Sequence, residues 1–339
     1  MKTIPIISVN NLGFPWETKD PFLFCVHHED FYPKGNDDLG PVDNLSGRSL
    51  GSDFIVKDGY RMYHGQKVPG FPAHPHRGFE TVTIVRKGLV DHSDSMGASG
   101  RFGNGDVQWM TAGKGLQHSE MFPLLNKSAE NPFELFQIWI NLPRKNKFVA
   151  PHFKMLWSEN LAVETFEDKQ GRKSEITIVT GNISKEGPTP PPNSWAADEH
   201  NNVGIWNIKM DANAELTLPT GSLELNRNLY FFKGTEITIE DQSIPVYKGI
   251  ELNASILTTI KNGNKPARLL LLQGKPIGET VVKYGPFVMN SDKEVQQALI
   301  DFQNTQFGGW PWPNRDQVHD ENKGRFAKHA DGRIEDKSL

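Results

Sequence analysis

The sequence predicts an all-β protein with few helices, built as more than one domain. Short runs of alternating apolar and polar residues recur along the chain, and glycines separate many of them. The 31 glycines and 23 prolines favour many turns over long helices. A length of 339 residues suggests two domains or one large one, and the composition changes along the chain favour division. Together these observations are typical of β-sandwiches and β-barrels.

The strand pattern is clearest in residues 80–86, where Val82 and Ile84 share one face. Gly78 and Gly88 bound this run, so we expect a strand that starts and ends at turns. The same alternation predicts strands at residues 105–113, 135–140, 176–180, 203–210, 229–232, 235–239 and 268–272.

One helix is predicted to begin near Ser291. Ser291 and Glu294 have the spacing of a capping box. Behind them, Val295, Leu299 and Phe302 fall on one helical stripe, which we expect to pack on a sheet. The helix should end before the Gly-Gly pair that precedes a rigid Trp-Pro-Trp-Pro sequence.

Domain boundaries follow from changes in composition. Charge rises and apolar periodicity fades over residues 158–174, so we place a boundary at residue 170. The predicted domains are residues 1–170, residues 171–313 and a charged C-terminal tail, residues 314–339. The polar, proline-rich segment 184–202 follows strand-like sequence directly, and we interpret it as an exposed excursion of the second domain.

Charge and cysteine content exclude several classes of protein. The 37 basic and 41 acidic residues give a net charge of −4, without the basic surface that direct nucleic-acid binding requires. The single cysteine, Cys25, cannot form an intrachain disulfide. With no apolar leader at the start and no apolar run of about 18–20 residues, we expect a cytoplasmic protein that does not enter a membrane.

Two short motifs suggest a metal site. They are His74-Pro75-His76 and His118-Ser119-Glu120, and each places two potential ligands two residues apart. On a strand, residues i and i+2 point to the same face, with Cα atoms about 6.6 Å apart. If the two motifs lie on neighbouring strands, three imidazoles and one carboxylate converge on one ion and leave coordination positions open.

The donor set does not select one metal, because nitrogen and oxygen ligands suit iron, manganese, nickel, copper and zinc. Open positions argue against a closed structural zinc site. The simpler alternative is that each histidine is a surface or hydrogen-bonding residue, but the second motif favours metal binding. Glu80 follows His76 by four residues and would share its face if the strand continued. It then competes with Glu120 as the carboxylate, or holds a ligand histidine in place.

The remaining histidines rank lower. His92 follows a predicted hairpin and could line the same cavity, although a surface role is favoured. The others lie among polar or turn residues and are predicted to be solvated: His27, His28, His64, His152, His200, His319 and His329. The aromatic residues near the motifs could wall a pocket, but each is better explained as barrel core: Phe71, Phe79, Trp109 and Phe122.

Other chemistries find little support in the sequence. No glycine-rich phosphate-binding loop follows a predicted strand, and no Gly-x-Ser-x-Gly sequence occurs.

Residues 74–84 (HPHRGFETVTI) and 105–120 (GDVQWMTAGKGLQHSE) strongly resemble the N-terminal half of the pirin family, within the cupin superfamily. Residues 176–181, 285–291 and 308–313 resemble the C-terminal half of that family. The resemblance implies two cupin barrels, which are double-stranded β-helices of the jelly-roll type, with a few short helices. It also implies that only the first barrel binds metal, in agreement with the single histidine, His200, in residues 176–290.

Carried over to this sequence, the family's ligands are His74, His76, His118 and Glu120, so that Glu80 is left to support the ligands without binding the metal. The implied cofactor is one divalent transition metal, with Fe(II) as first choice and zinc, manganese, nickel or copper as alternatives.

The family also implies two functions of different class. One is quercetin 2,3-dioxygenase activity, with a small aromatic flavonol and O2 as substrates and Glu120 as the base for the 3-hydroxyl proton. The other is a metal-sensing or redox-sensing regulator that binds a protein partner without turnover. We favour the dioxygenase-like enzyme. A cupin isomerase or a simple binding module would keep the metal without using oxygen.

Overall fold

The computed structural model describes residues 4–337, which fold mainly into antiparallel β-strands. The strands are β1 (Ile6–Asn11), β2 (Phe22–Tyr32), β3 (Gly70–His76), β4 (Phe79–Lys87), β5 (Leu89–Asp94), β6 (Ser99–Gly103), β7 (Val107–Thr111), β8 (Leu116–Met121), β9 (Asn131–Asn141), β10 (His152–Leu156), β11 (Ala162–Glu167), β12 (Lys173–Thr180), β13 (Gly204–Met210), β14 (Glu215–Leu218), β15 (Asn226–Lys233), β16 (Glu236–Ile239), β17 (Gln242–Pro245), β18 (Lys248–Asn253), β19 (Thr258–Asn262), β20 (Ala267–Gly274), β21 (Val282–Tyr284), β22 (Phe287–Met289), β23 (Arg325–Lys328) and β24 (Ile334–Lys337).

The helical residues are few, as predicted. One α-helix, α1, spans Asp292–Thr305. Single-turn 3₁₀ helices lie at Arg144–Asn146, Ser158–Asn160, Trp195–Ala197, Glu199–Asn201 and Gln306–Gly308. In the described part of the chain, no helix is long and apolar enough to cross a membrane.

The N-terminal end of α1 agrees with the sequence prediction. The Ser291 side chain accepts a hydrogen bond from the Glu294 backbone N–H, at 3.3 Å. In a capping box the Glu294 carboxylate would accept a hydrogen bond from the backbone N–H of Ser291. Here it accepts one from the backbone N–H of Asn290 instead. Of the predicted stripe, Val295 is buried, and Ala298 is a further buried position on the helix.

The chain divides into two compact units, each assembled from several segments. Residues 27–137, 142–158 and those from 279 onward form the unit that we call the first barrel. Residues up to 26, 138–141 and 159–278 form the second barrel. The contiguous ranges 1–170, 171–313 and 314–339 drawn from the sequence stay a prediction about domain boundaries.

The second barrel consists of a seven-stranded sheet, in the order β1-β18-β15-β20-β13-β12-β11, and a four-stranded sheet, β14-β19-β16-β17. Apolar side chains of both sheets meet in one core. Ile208 and Leu271 come from the larger sheet, and Leu216 and Ile260 from the smaller. The alternation that predicted strands at 176–180, 203–210 and 268–272 thus reflects this single apolar core.

The first barrel pairs a five-stranded sheet, β10-β7-β4-β9-β2, with a six-stranded sheet, β24-β23-β6-β5-β8-β3. Val85 and Leu135 of the first sheet pack with Val90 and Phe102 of the second. Strand β5 (LVDHSD) was not predicted from the sequence, because most of its buried residues are polar and show no apolar alternation.

Residues after 313 are part of the first barrel. Strand β23 pairs with β6, and β24 extends the same sheet. The fully buried Arg101 of β6 donates two hydrogen bonds to Asp91, at 2.7 and 2.8 Å. It also donates to the backbone carbonyls of His319, Asp320 and Lys323. A buried ion pair between β5 and β6 therefore holds the C-terminal segment in place.

We expect Arg101→Leu to lower the free energy of unfolding by about 3–5 kcal/mol, because it leaves the Asp91 carboxylate buried without its cation. Urea denaturation followed by tryptophan fluorescence measures this loss. Lys209→Leu is the control, since Lys209 pairs with Glu175 at a site where both side chains are 42% exposed and should change stability little. An Arg101 variant as stable as this control would show that the ion pair does not anchor the segment.

Candidate metal centre

The two histidine motifs lie on neighbouring antiparallel strands, as the sequence predicted. In the pairing of β3 with β8, His74 is directly opposite His118. At the start of β3, the backbone of Gly70 approaches β8 so closely that a Cβ atom there would lie 2.4 Å from the carbonyl oxygen of Glu120. This register turns both histidines of β3 toward the histidine of β8.

Three imidazoles therefore meet in the first barrel. One ring nitrogen from each of His74, His76 and His118 can be chosen so that all three lie within 4.8 Å of one another. The ring centroids are 4.5 to 4.9 Å apart. His118 is fully buried, His76 is 3% exposed and His74 is partly buried.

Burial keeps these rings in the neutral form that binds metals, and a hydrogen bond fixes the tautomer of His74. The Nδ1 atom of His74 lies 2.9 Å from the Pro72 carbonyl oxygen, which can only accept. Nδ1 therefore carries the proton and Nε2 presents a lone pair. Burial lowers the pKa of His74 to about 4. Burial and the neighbouring His74 and His76 lower the pKa of His118 well below its usual value.

His118 has an unusual environment for a buried imidazole. Neither of its ring nitrogens has a hydrogen-bond partner among residues 4–337. A buried polar atom without a partner costs free energy, so most such atoms in proteins are paired. The ring is therefore placed where a ligand, rather than the protein, would satisfy its nitrogen.

Glu120 lies beside this cluster. Its Oε2 atom is 3.7 Å from Nε2 of His118, and its side chain is 7% exposed. Its Oε1 atom accepts a hydrogen bond of 2.9 Å from the Thr83 hydroxyl, and Gln137 approaches Oε2 at 3.4 Å. Burial raises the pKa of Glu120. One carboxylate oxygen thus lies between His118 and Gln137, and the other binds Thr83.

Glu80 takes a different position from the one that a continuous strand would give it. Strand β3 ends at His76, the chain turns at Gly78 with φ of +86°, and Glu80 lies on β4 in the other sheet. Its Oε1 atom accepts a hydrogen bond of 2.6 Å from Thr111. Because strand side chains alternate, Glu80 points to the opposite face of β4 from Thr83, the residue that contacts Glu120. The condition under which Glu80 would share the face of His76, a strand that continues through Arg77, is therefore not met.

The prediction of a surface role for His92 is wrong. His92 is fully buried, lies opposite Glu120 in the pairing of β5 with β8, and has its ring 5.5 Å from that of His118. Its ring stacks on Phe153 at 5.1 Å. The polar sequence around it suggested solvent, but these polar residues are buried inside the barrel.

The other predicted solvated histidines divide into three groups. His64 and His200 are exposed as expected, whereas His28 and His329 are buried at 4% and 8% exposure. The half-buried residues are His27, His152 and His319. His28 was misjudged because its partner, Tyr63, whose hydroxyl lies 2.7 Å from Nδ1, is 35 residues away in the sequence.

The aromatic residues near the motifs agree with the core interpretation. Phe79, Trp109 and Phe122 are buried. Phe122 stacks on Phe133 at 4.2 Å in the core of the first barrel. Phe71 is only half-buried, and its ring lies 6.3 Å from that of His74.

Three polar side chains of the barrel interior were not singled out from the sequence. Thr83 and Gln137 contact Glu120, and Gln108 lies opposite Thr83 on β7. A signal for Thr83 was present, since the alternation that puts Val82 and Ile84 on one face puts Thr83 on the other. No local pattern marks Gln108 and Gln137, because polar residues within apolar strands are usually read as solvent-facing.

Comparison with known protein families gives two matches along the chain. Residues 18–140 match the pirin family model, and residues 205–308 match the model of the pirin C-terminal cupin domain. The two matched ranges together exceed half of the chain.

Individual relatives agree with this. A Pseudomonas aeruginosa protein named "Putative quercetin 2,3-dioxygenase" is 34% identical over 245 residues, which cover 71% of this chain and 80% of the relative. Mouse (Mus musculus) pirin is 33% identical over 265 residues, which cover 75% of this chain and 82% of the relative.

A solved structure shows the same fold. The crystal structure of quercetin 2,3-dioxygenase from Acinetobacter baumannii aligns with a TM-score of 0.69, over 91% of this chain and 99% of that one, at 24% sequence identity. The two family models, the relatives and the solved structure all agree. The chain belongs to the pirin family and contains two cupin domains.

Proposed function

We propose that the first barrel binds one divalent transition metal through His74, His76, His118 and Glu120, and that the protein is a dioxygenase acting on a flavonol such as quercetin. The observation that carries the proposal is the group of three neutral, mutually close imidazoles with a buried carboxylate beside it. The dioxygenase name of the Pseudomonas relative supports the choice of reaction.

The donor set fits a metal ion. Bonds from imidazole nitrogen to such an ion are about 2.0–2.1 Å long, so two nitrogens on one ion are at most about 4.2 Å apart. The three nitrogens lie within 4.8 Å of one another, which is close to that limit. The lone pair of His74 and the unpartnered nitrogens of His118 are the donors that such an ion requires.

Nitrogen and oxygen donors without thiolate suit Fe(II), which is our first choice for a reaction with O2. Zinc, manganese, nickel and copper are the alternatives that the same donors accept.

When bound, the metal would supply a Lewis acid that binds the 3-hydroxyl and 4-keto oxygens of the flavonol and brings it together with O2. The chain's own residues then have separate tasks. Glu120 is the candidate base for the 3-hydroxyl proton, since one of its carboxylate oxygens lies 3.7 Å from His118 and so beside the position where the substrate would bind. Thr83 holds Oε1 of Glu120 in place through its 2.9 Å hydrogen bond.

The buried surroundings of the site favour the proposed reaction. His92 and His118 are fully buried, and Phe153 covers the His92 ring. A site walled by such groups restricts water, which strengthens the interactions of Glu120 with a bound substrate.

His118→Ala should lower the metal content of the purified protein at least tenfold, because it removes a ligand at the centre of the cluster. His200→Ala is the matched control, since the His200 side chain is 86% exposed and lies outside the first barrel. Plasma mass spectrometry of both variants measures the metal per chain. Full occupancy in the His118 variant would remove this residue from the ligand set.

The two carboxylates should respond differently. We expect Glu120→Gln to lose metal, because Glu120 lies next to His118, and Glu80→Gln to retain it, because Glu80 points to the other face of its strand and binds Thr111. The metal content of the two variants, measured after reconstitution with the same excess of Fe(II), tests this. The reverse pattern would make Glu80 the carboxylate ligand.

The Fe(II)-reconstituted protein should consume O2 in a one-to-one ratio with quercetin, and the His118→Ala variant should not. An oxygen electrode and the loss of flavonol absorbance give the two rates independently. With iron confirmed as bound, an absence of uptake would rule out quercetin as a substrate. A search for a protein partner of a metal-sensing regulator would then follow.

A further inference from the structure

The side chain of Gln108 is a fully buried carboxamide without a partner. Its exposed fraction is 0%, and neither its Oε1 nor its Nε2 atom has a hydrogen-bond partner among residues 4–337. Each buried polar atom left in this state costs about 1–3 kcal/mol of stability. An apolar side chain of the same length would avoid the cost, and both neighbours on this part of the wall, Met110 and Met155, are apolar.

Strand register places Gln108 on the wall of the candidate metal centre. On β7 it lies opposite Thr83 of β4 on one side and opposite Met155 of β10 on the other. Residues directly opposite each other on neighbouring strands point to the same face, about 5 Å apart. Thr83 reaches inward to Glu120, so the carboxamide of Gln108 faces the same interior, one strand farther from the histidines.

A second unsatisfied group lies on the same face. Thr81 is two residues before Thr83 on β4, so it points to the same side, and it is opposite Met110. Its hydroxyl is buried and has no hydrogen-bond partner within the described residues. The interior wall beyond Glu120 therefore presents hydrogen-bonding groups that the protein itself does not satisfy.

We propose that Gln108 is a specificity residue that binds a phenolic hydroxyl of the substrate, at a position remote from the oxygens that meet the metal. This inference rests on the proposed flavonol function and deepens it. A carboxamide donates through Nε2 and accepts through Oε1, so it matches a hydroxyl, which also donates and accepts. It is uncharged, so it recognises the hydroxyl without binding the metal or removing a proton.

The consequence is discrimination among flavonols. A site built to pair with a hydroxyl rejects an analogue that lacks it, because the buried carboxamide is then left unsatisfied. The protein should bind quercetin more tightly than 3-hydroxyflavone, which keeps the 3-hydroxyl and 4-keto oxygens but lacks the other hydroxyls. Both compounds offer the metal the same two oxygens. The difference in their affinities therefore reports on contacts with the barrel wall around Gln108.

The test compares equilibrium binding of the two flavonols to metal-loaded wild type and to Gln108→Leu, measured by fluorescence quenching without O2. The ratio of the Kd for 3-hydroxyflavone to the Kd for quercetin should be at least tenfold smaller in the variant than in wild type. Its Kd for 3-hydroxyflavone should stay within about threefold of the wild-type value, and its metal content should not change. Its melting temperature should rise by a few degrees, because an unsatisfied polar group is removed. If the Gln108→Leu variant does not fold, Gln108→Met replaces it in the same comparison.

Gln273→Leu is the matched control, since it removes a buried glutamine that does have a partner. Gln273 accepts a hydrogen bond of 2.8 Å from the buried Arg227 in the second barrel. This control should lower the melting temperature and leave the flavonol preference unchanged.

Two failures are distinguishable. If wild type binds both flavonols and Gln108→Leu keeps the full preference, the inference is wrong and the proposed function stands. If metal-loaded wild type binds neither flavonol, the proposed function is overturned, and the role of Gln108 in flavonol recognition is overturned with it.

Discussion

The antiparallel register of β3 and β8 is the constraint on which the candidate site depends. It sets His74 opposite His118, and the alternation along each strand then brings in His76 and Glu120. A slip of one residue would turn both histidines of β3 to the other face of the sheet. Gly70 permits the close approach at the start of this pairing, and β5 secures the other side of β8, where His92 faces Glu120. The site is therefore a property of three paired strands rather than of one loop.

The two barrels use the same architecture for different interiors. In the second barrel, side chains such as Ile208, Leu216 and Leu271 fill the space between the sheets with one apolar core. In the first, apolar packing is confined to part of the interior, and imidazole, carboxylate, hydroxyl and carboxamide groups line the rest. Burying these polar groups costs stability, so the polar interior of the first barrel is less favourable for folding than the apolar core of the second.

The sequence was informative where a local pattern determines the structure. Alternation located the apolar strands, the Ser291 and Glu294 spacing located the helix, and two-residue spacing identified the three clustered histidines. The sequence was uninformative where the position of a side chain depends on residues that are distant along the chain. The sequence left the face of Glu80 open, because nothing local shows that β3 ends at His76. His92 was assigned to the surface because polar neighbours normally mean solvent, whereas here Arg101 and the C-terminal segment bury its strand.

The position of the C-terminal segment has a consequence for biosynthesis. Strands β3, β5, β6 and β8 are synthesised early, yet the sheet that contains them is completed by β23 and β24, which are synthesised much later. The carbonyls of His319, Asp320 and Lys323 that bind Arg101 are likewise synthesised long after Arg101 itself. The second barrel, by contrast, needs nothing beyond residue 278. The first barrel can therefore be completed only after all segments of the second have been synthesised, and the histidine cluster reaches its final setting only when the later segments have joined β6.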